Sequence, residues 1–230
     1  MKQKISCKYA APKNTWQRFA VFLLLSLILF TSAASASSVE NRFVSLLGTE
    51  GVQVRPLSDS DREVLKSVET LEALIAYIRK SIHDWRLQIR GIRILGQTGS
   101  ALAAEALREM FYDPIFNYGC PSLKLNLVIA LGNFPGNKRV SETLISGAQD
   151  FEIQVKEASI LSLGKNGDRE AVSFLIEKLA DQSFTIRLAA ISSLGEIGDG
   201  RAAAPLRKIE EHDQDSLIRT AARAALGKIN

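Results

Sequence analysis

From residue 95 onward, one dipeptide recurs at a nearly constant interval. The Leu-Gly pairs are Leu95-Gly96, Leu131-Gly132, Leu163-Gly164, Leu194-Gly195 and Leu226-Gly227. Successive glycines of these pairs lie 36, 32, 31 and 32 residues apart. A period of this length is typical of stacked helical units, because one such unit cannot cover its own apolar face. The interval therefore predicts an all-α fold that is built by stacking.

The best-formed copy of the unit is residues 155–181, which are predicted to form a helix, a glycine turn and a second helix. Apolar side chains recur at helical spacing in both halves. Gly164 and Gly167 are expected to end the first helix, since glycine adopts the left-handed conformation at low cost. Asp168 follows as the expected N-cap of the second helix. Each unit thus predicts one antiparallel helix pair.

A second column of residues supports the same register. In each of the last three units, an aspartate lies six residues before a basic residue. These pairs are Asp150 and Lys156, Asp181 and Arg187, and Asp213 and Arg219. Stacking is expected to bring them into an inter-repeat ladder of acids and bases along one edge. Each exposed pair in such a ladder would contribute about 0–1 kcal/mol.

The pattern resembles HEAT-like repeats of the short kind found in phycobilisome-lyase-type proteins. The resemblance rests on VKEASILSLGKNGDREAVSFLIEKL (155–179), IRLAAISSLGEIGDGRAAAPLRKI (186–209) and IRTAARAALGKI (218–229). It implies a right-handed α-solenoid of antiparallel helix pairs with a concave binding surface, but no single function. The array is expected over residues 87–230, as four helix pairs and a final single helix. The first two units depart from the pattern of small residues at Gly91, Arg93, Asn126 and Leu127.

Residues 37–86 are expected to form an N-terminal helical cap. Apolar side chains between Val64 and Ile78 keep helical spacing and predict one helix over residues 61–81, with Ser58 or Ser60 as its N-cap. The outer side of this helix is more polar than those of the later helices. Repeat arrays need a terminal unit with a polar outer face, and this segment fits that requirement.

Residues 1–36 have the three parts of a secretory signal peptide. Five Lys or Arg side chains precede the apolar run Phe19–Phe30, and Ala34-Ser35-Ala36 follows it as a cleavage site. Cleavage is therefore expected before Ser37, and the alternative is an uncleaved membrane anchor. The apolar run is shorter than the roughly 20 residues that span a bilayer. The chain is predicted to be exported, to the periplasm or the medium if it is bacterial, with no membrane span after cleavage.

Removal of this segment changes the charge of the chain. The full chain has a net charge of +4, with 29 basic and 25 acidic side chains. Without the five basic residues of the signal segment, 24 basic side chains remain against 25 acidic ones, which is a net charge of −1. A near-neutral mature chain gives no basis for nucleic-acid or membrane-surface binding.

The most irregular stretch lies within residues 111–121, FYDPIFNYGCP, where the chain is longer than in the other units. Aromatic side chains on loops are enriched at protein interfaces, so this insertion is a candidate contact site for a partner protein. The candidate residues are Tyr112, Phe116, Tyr118 and Cys120. The favoured alternative is that these side chains fill the joint between two irregular units.

The C-terminal unit is a second departure from the pattern. Asn230 comes three residues after Gly227, at the point where the other units continue into a second helix. The outer side of the first helix of this C-terminal unit is therefore expected to be uncovered. This face is a candidate docking surface for another chain or for a second copy.

The sequence contains no recognisable catalytic centre. The two histidines, His83 and His212, are far apart, and the His-Glu pairs through which HEAT-repeat hydroxylases bind metal do not occur. Nucleotide-binding loops and cysteine-rich metal motifs do not occur either. The predicted function is a non-catalytic protein-interaction scaffold or adaptor without a cofactor. The alternative is a lyase-like enzyme, or an enzyme accessory, that binds a small ligand in the concave groove.

Overall fold

The computed structural model describes residues 43–48, 51–117 and 120–229. This part of the chain is helical and contains no strand. Residues 43–47 are helical, and the helices that follow are α1 Asp59–Leu65, α2 Val68–Lys80, α3 Trp85–Leu95, α4 Ala101–Tyr112, α5 Pro114–Asn117, α6 Pro121–Leu131, α7 Lys138–Gly147, α8 Ile153–Asn166, α9 Val172–Lys178, α10 Phe184–Ile197, α11 Ala203–His212 and α12 Ser216–Leu226. Short 3₁₀ turns, Arg169–Ala171 and Gly200–Ala202, lead into α9 and α11. The predicted signal peptide lies outside the described residues. Among the described helices, none combines the length and apolar character that crossing a membrane requires.

From α3 onward the helices alternate between two layers. The first-helix layer consists of α3, α6, α8, α10 and α12, and each of these helices contacts the next. The second helices are α4, α7, α9 and α11, and each packs against the first helix of the following unit. The buried apolar side chains form one cluster that runs from Phe43 to Ala225. The fold is therefore a solenoid, in which each unit completes the core of its neighbour.

The glycines of the recurring Leu-Gly pairs lie where neighbouring first helices approach each other closely. At four of these glycines, an added Cβ would meet the next first helix at 2.8–2.9 Å: Gly96, Gly132, Gly164 and Gly195. The atoms that it would meet include those of Ala130, Ser162, Ser193 and Ala225. A side chain at these glycines would push two packed helices apart. The period of the sequence therefore reflects helix–helix contact as well as chain reversal.

The prediction that Gly164 ends its helix is wrong. The helix α8 continues to Asn166, and Gly167 ends it with a left-handed φ of 73°. Gly198 ends α10 in the same way, with a φ of 68°. Gly164 remains helical because its missing side chain admits the neighbouring helix, whereas only the turn position requires a positive φ. The predicted cap at Asp168 is confirmed, since its Oδ1 accepts the backbone N–H of Glu170 at 3.0 Å.

In the N-terminal cap, residues 59–80 form two helices, α1 and α2, where one was predicted over residues 61–81. The hydroxyl of Ser58 accepts the backbone N–H of Asp61 and starts α1 in a capping box. Ser67 separates α1 from α2 and caps α2, because its hydroxyl accepts the N–H of Thr70 at 3.4 Å.

Residues 51–57, which are not helical, are held by long polar side chains of α3. Arg90 Nη1 donates to the carbonyl of Gly51 at 2.7 Å, and Arg93 Nη1 donates to that of Val52 at 2.8 Å. Arg93 Nε also donates to Asn126 Oδ1 on α6 at 2.8 Å. The departures at Arg93 and Asn126 from the small-residue pattern therefore provide the hydrogen bonds that attach the cap to the array.

Candidate protein-binding surface

The insertion folds as the short helix α5, which contacts both α4 and α6. Phe116 is 1% exposed and Cys120 is fully buried, so two of the four predicted contact residues lie in the core. They are buried because α5 returns the chain across the joint between α4 and α6. For these two residues the packing alternative holds. Tyr118 lies outside the described residues, and its contact role stays a prediction.

Tyr112, the remaining candidate, lies on the surface. It is the last residue of α4 and is 52% exposed. Its ring packs edge-on against the buried ring of Phe111, with 5.1 Å between the ring centroids. Its hydroxyl donates to Ser146 Oγ on α7 at 3.4 Å. An aromatic side chain that is supported on one side and open on the other is suited to partner contact.

Tyr112 lines an open groove of about 450 Å³ between α4 and α7. A second groove, of about 290 Å³, lies between α2 and α4. Glu105 and Glu109 of α4 line both grooves. The two grooves therefore adjoin, and we call the surface that they form across α2, α4 and α7 the groove surface.

Ion pairs connect the three helices of the groove surface. Arg79 on α2 pairs with Glu109 at 2.6 Å. Glu105 pairs with Arg108 at 2.8 Å and with Arg139 on α7 at 3.2 Å. Arg108 Nε also donates to the carbonyl of Arg139 at 2.9 Å. The grooves therefore combine ion-paired side chains with exposed aromatic and aliphatic surface.

The predicted inter-repeat ladder is not formed by the residues that were expected to make it. Each aspartate accepts a backbone N–H from its own loop at 2.9 Å: Asp150 from Glu152, Asp181 from Ser183 and Asp213 from Asp215. Arg187 and Arg219 donate to the carbonyls of Asp181 and Asp213 at 3.0 and 2.7 Å. Within the described chain, no ion pair joins the three aspartates to Lys156, Arg187 or Arg219. Local partners prevail because one turn already holds them in place, whereas a ladder must immobilise long side chains across repeats.

One inter-repeat ion pair does form at this edge, between Lys124 on α6 and Asp150 in the loop before α8. Both side chains are largely buried, so the charges attract each other with little screening by solvent. Lys124 Nζ also lies 5.2 Å from the centroid of the Phe111 ring. The sequence signal was present, since Lys124 stands in the same column of the repeat as Lys156.

A charged ladder runs along the opposite edge, where the second helices begin. Lys138 pairs with Glu170 of the next unit at 2.8 Å, and Arg169 lies 4.0 Å from Asp199 of the unit after that. The hydrogen bond to Glu170 raises the pKa of Lys138. Hydrogen bonds from Arg201 lower the pKa of Asp199 to about 2. The sequence signal for this ladder was the charged residues that follow Gly136, Gly167 and Gly198, the glycines that precede these second helices.

In the part of the chain that the structure describes, no group of three His, Cys, Asp or Glu side chains is placed to hold a metal ion. His212 Nε2 lies 3.6 Å from Glu211 Oε2, and both side chains are exposed. The two carboxylates that line both grooves, Glu105 and Glu109, are engaged in the ion pairs described above.

Comparisons with known proteins agree with this architecture. A family model described as HEAT repeats matches residues 141–227, which extend from within α7 to the end of α12. Among curated proteins, no match was found. The matched residues include the first two stretches that carry the resemblance to HEAT-like repeats, and the third as far as Gly227.

Solved structures are similar over most of the chain. A designed armadillo repeat protein in complex with the peptide (KR)4 is 15% identical, with a TM-score of 0.55 over 87% of this chain and 96% of its own. Computationally designed armadillo repeat proteins for modular peptide recognition are also 15% identical, with a TM-score of 0.48 over 90% and 99%. Human deoxyhypusine hydroxylase in complex with glycerol is 15% identical, with a TM-score of 0.41 over 95% and 92%.

At these identities the first likeness shows the fold alone, and the TM-scores of the other two are too low to support an argument. The predicted right-handed α-solenoid of antiparallel helix pairs is confirmed. The chain is thus similar to HEAT and armadillo repeat proteins, a fold that is typical of protein-binding scaffolds.

Proposed function

We propose that this chain is an exported, non-catalytic scaffold that binds another protein through the groove surface. The observation that carries the proposal is the pair of adjoining open grooves beside the exposed ring of Tyr112. A shallow surface that continues across several helices suits an extended polypeptide segment, which can place successive side chains in successive grooves.

Tyr112 is the proposed anchor of this contact. Tyrosine is enriched among the few interface residues that carry most of the binding energy. Its ring already rests on Phe111, so little side-chain entropy is lost on binding. The ion pairs of Glu105 and Glu109 hold the groove walls in place before a partner arrives. The surface is therefore preorganised for a protein ligand.

Two further features support the proposal. The designed armadillo repeat protein that shares this fold is solved with a peptide, which supports a polypeptide as the class of partner. A small ligand in the groove, the alternative function, would require free polar groups that converge on one point. Glu105 and Glu109, the two carboxylates that line both grooves, are instead engaged in ion pairs.

Affinity purification from the exported fraction of the native host tests this function. The baits are the chain from Ser37, its Tyr112→Ala variant and a Phe151→Ala control. Phe151 is 86% exposed but lines neither groove. A partner at the groove surface is expected to be recovered by the parent and by Phe151→Ala, and to be reduced about tenfold or more by Tyr112→Ala.

Equal recovery with Tyr112→Ala, or equal loss with both variants, would contradict the assigned surface. The intact mass of the natural exported protein checks the proposed export in the same preparation. A mass that includes residues 1–36 would show that the signal segment is not removed.

A further inference from the structure

A cavity of about 370 Å³ lies in the N-terminal cap. It is bounded by the helical residues 43–47, by α1 and by the first turn of α2, and it shares no lining residue with the groove surface. Its volume falls within the range of about 300–1,000 Å³ that is usual for small-molecule pockets. The cavity is therefore a second candidate site, in a different part of the molecule.

Most of the cavity wall is apolar. Phe43, Leu46 and Leu65 line it and are themselves buried, so this part of the wall belongs to the core. The Phe43 ring is supported by Tyr77, with 5.7 Å between the ring centroids. Val64 also lines the cavity and is 41% exposed, which places it where the cavity meets solvent.

The polar groups of the cavity are three hydroxyls and one carboxylate. Ser45, Ser60 and Thr70 supply the hydroxyls, and Asp61 supplies the carboxylate. The Asp61 carboxylate is already engaged, because it accepts Arg55 Nη2 at 3.1 Å and the Ser58 N–H at 2.8 Å. The bonds from Arg55, supported by those from Ser58, hold the pKa of Asp61 far below its usual value. The described lining thus offers hydroxyl groups but no charge that is free to pair with a ligand.

We propose that this cavity binds a small, uncharged, mainly apolar molecule that carries one hydroxyl or carbonyl group. Burial of the ligand against Phe43, Leu46 and Leu65 would provide the driving force. One of the cavity hydroxyls would bond the polar group of the ligand and orient it. An ionised ligand is disfavoured, because it would lose its hydration without gaining a counter-ion.

A small molecule fits this site better than a docked protein. The exposed residues of α1 beside the cavity include Asp59, Arg62 and Glu63, which would have to be desolvated under a protein interface. The proposal goes beyond the scaffold function, and it can fail or hold without changing the assignment of the groove surface.

Binding of N-phenyl-1-naphthylamine, an uncharged probe that fluoresces in apolar surroundings, tests the proposal on the chain from Ser37. The cavity is filled in Val64→Trp, and Val68→Trp is the matched control. Val68 is 62% exposed and does not line the cavity. Saturable binding is expected in the parent and in Val68→Trp, and it is expected to be about tenfold weaker or lost in Val64→Trp.

A second filling variant, Ser60→Phe, changes another exposed lining position and keeps the test valid if Val64→Trp does not fold. Thermal melting by circular dichroism confirms that each variant is folded. Tyr112→Ala should bind the probe as the parent does, since Tyr112 is outside the cavity. Absence of saturable binding in the parent, full binding in a folded filling variant, or loss in Tyr112→Ala would overturn the site.

The charge preference is tested by displacement of the probe. Octanol and octanoate have apolar chains of similar length but differ in charge at neutral pH. Octanol is expected to displace the probe at a concentration about tenfold lower than octanoate, because only the carboxylate has to be desolvated without a counter-ion. Equal displacement by the two compounds would overturn the proposed ligand class.

Discussion

The first helix of the array, α3, packs beside a non-helical segment, whereas each interior first helix packs between two other first helices. Between interior first helices, small side chains allow two backbones to meet, and a Cβ added at Gly195 would lie 2.9 Å from Ala225 Cα. In the first repeat, Gly96 makes the same approach to Ala130, and Arg90 and Arg93 in addition reach the carbonyls of Gly51 and Val52. A helix satisfies its own backbone and needs only close packing, whereas a non-helical segment brings carbonyls that require donors.

Gln88 and Lys124 occupy the same position in successive repeats, and they show a second difference between the first repeat and the interior. Gln88 is fully buried, and neither polar atom of its amide has a hydrogen-bond partner in the described chain. Lys124, at the equivalent position of the next unit, is buried as an ion pair with Asp150. A repeat pattern therefore specifies that a position is polar, but the neighbouring unit decides whether that polar group is satisfied.

Lys124→Met should produce the largest effect. The variant leaves the buried carboxylate of Asp150 without its cation, which is expected to cost about 3–5 kcal/mol of unfolding free energy. Urea unfolding followed by circular dichroism measures this loss. An unchanged unfolding midpoint would show that the pair is not desolvated.

Gln88→Met is the matched variant at the equivalent position. It removes two unsatisfied polar atoms and retains most of the side-chain shape, so stability should stay constant or rise by about 1 kcal/mol. A loss of unfolding free energy as large as that of Lys124→Met would mean that this position of the repeat tolerates no substitution, whether or not its side chain has a partner. A gain of unfolding free energy in Gln88→Met and a loss in Lys124→Met would establish the difference between the first repeat and the interior.

Gly195→Ala should have an intermediate effect. The added methyl group would collide with the backbone of α12, and overpacking of this kind costs about 1–3 kcal/mol. Thermal unfolding measures the change. In the control, Gly227→Ala, the nearest atom to the new Cβ is Ala224 O at 3.5 Å and the backbone has helical φ and ψ. Equal destabilisation by both variants would refute the role of helix approach.

Arg93→Ala should have a smaller and more local effect than Gly195→Ala. It removes the donors to Val52 O and Asn126 Oδ1, at a cost of about 1–2 kcal/mol. Amide exchange, measured residue by residue, should accelerate in residues 51–57 but not in α10. The control Arg79→Ala breaks a partly exposed ion pair and should cost about 0–1 kcal/mol. Uniform acceleration along the chain would contradict an independent cap interface.

The order of the units and the kind of fold could be predicted because they depend on short-range patterns. Helical spacing and the recurring Leu-Gly pair identify the repeats before any contact is known. The caps at Ser58 and Asp168 were equally accessible, since an N-cap bonds to the N–H of a residue two or three positions later. The split between α1 and α2 was missed because the apolar periodicity continues across Ser67.

The candidate site was only partly predictable. Tyr112 and Phe116 are four residues apart in one aromatic insertion, yet the first is half exposed and the second is buried. Their difference arises from the position of α5 between α4 and α6, which depends on packing against both helices. The grooves themselves were not predictable, because they lie between units.

Local chemistry alone specified where helices form, which faces are apolar and where a chain reversal requires glycine. Tertiary packing decided that Gly164 admits a neighbouring helix while Gly167 ends its own. It also decided that Asp150 pairs with Lys124 of the preceding unit rather than with Lys156 of its own. These outcomes depend on residues that lie about one repeat apart in the chain. A periodic sequence shows that such positions are equivalent, but it does not show which of them are in contact.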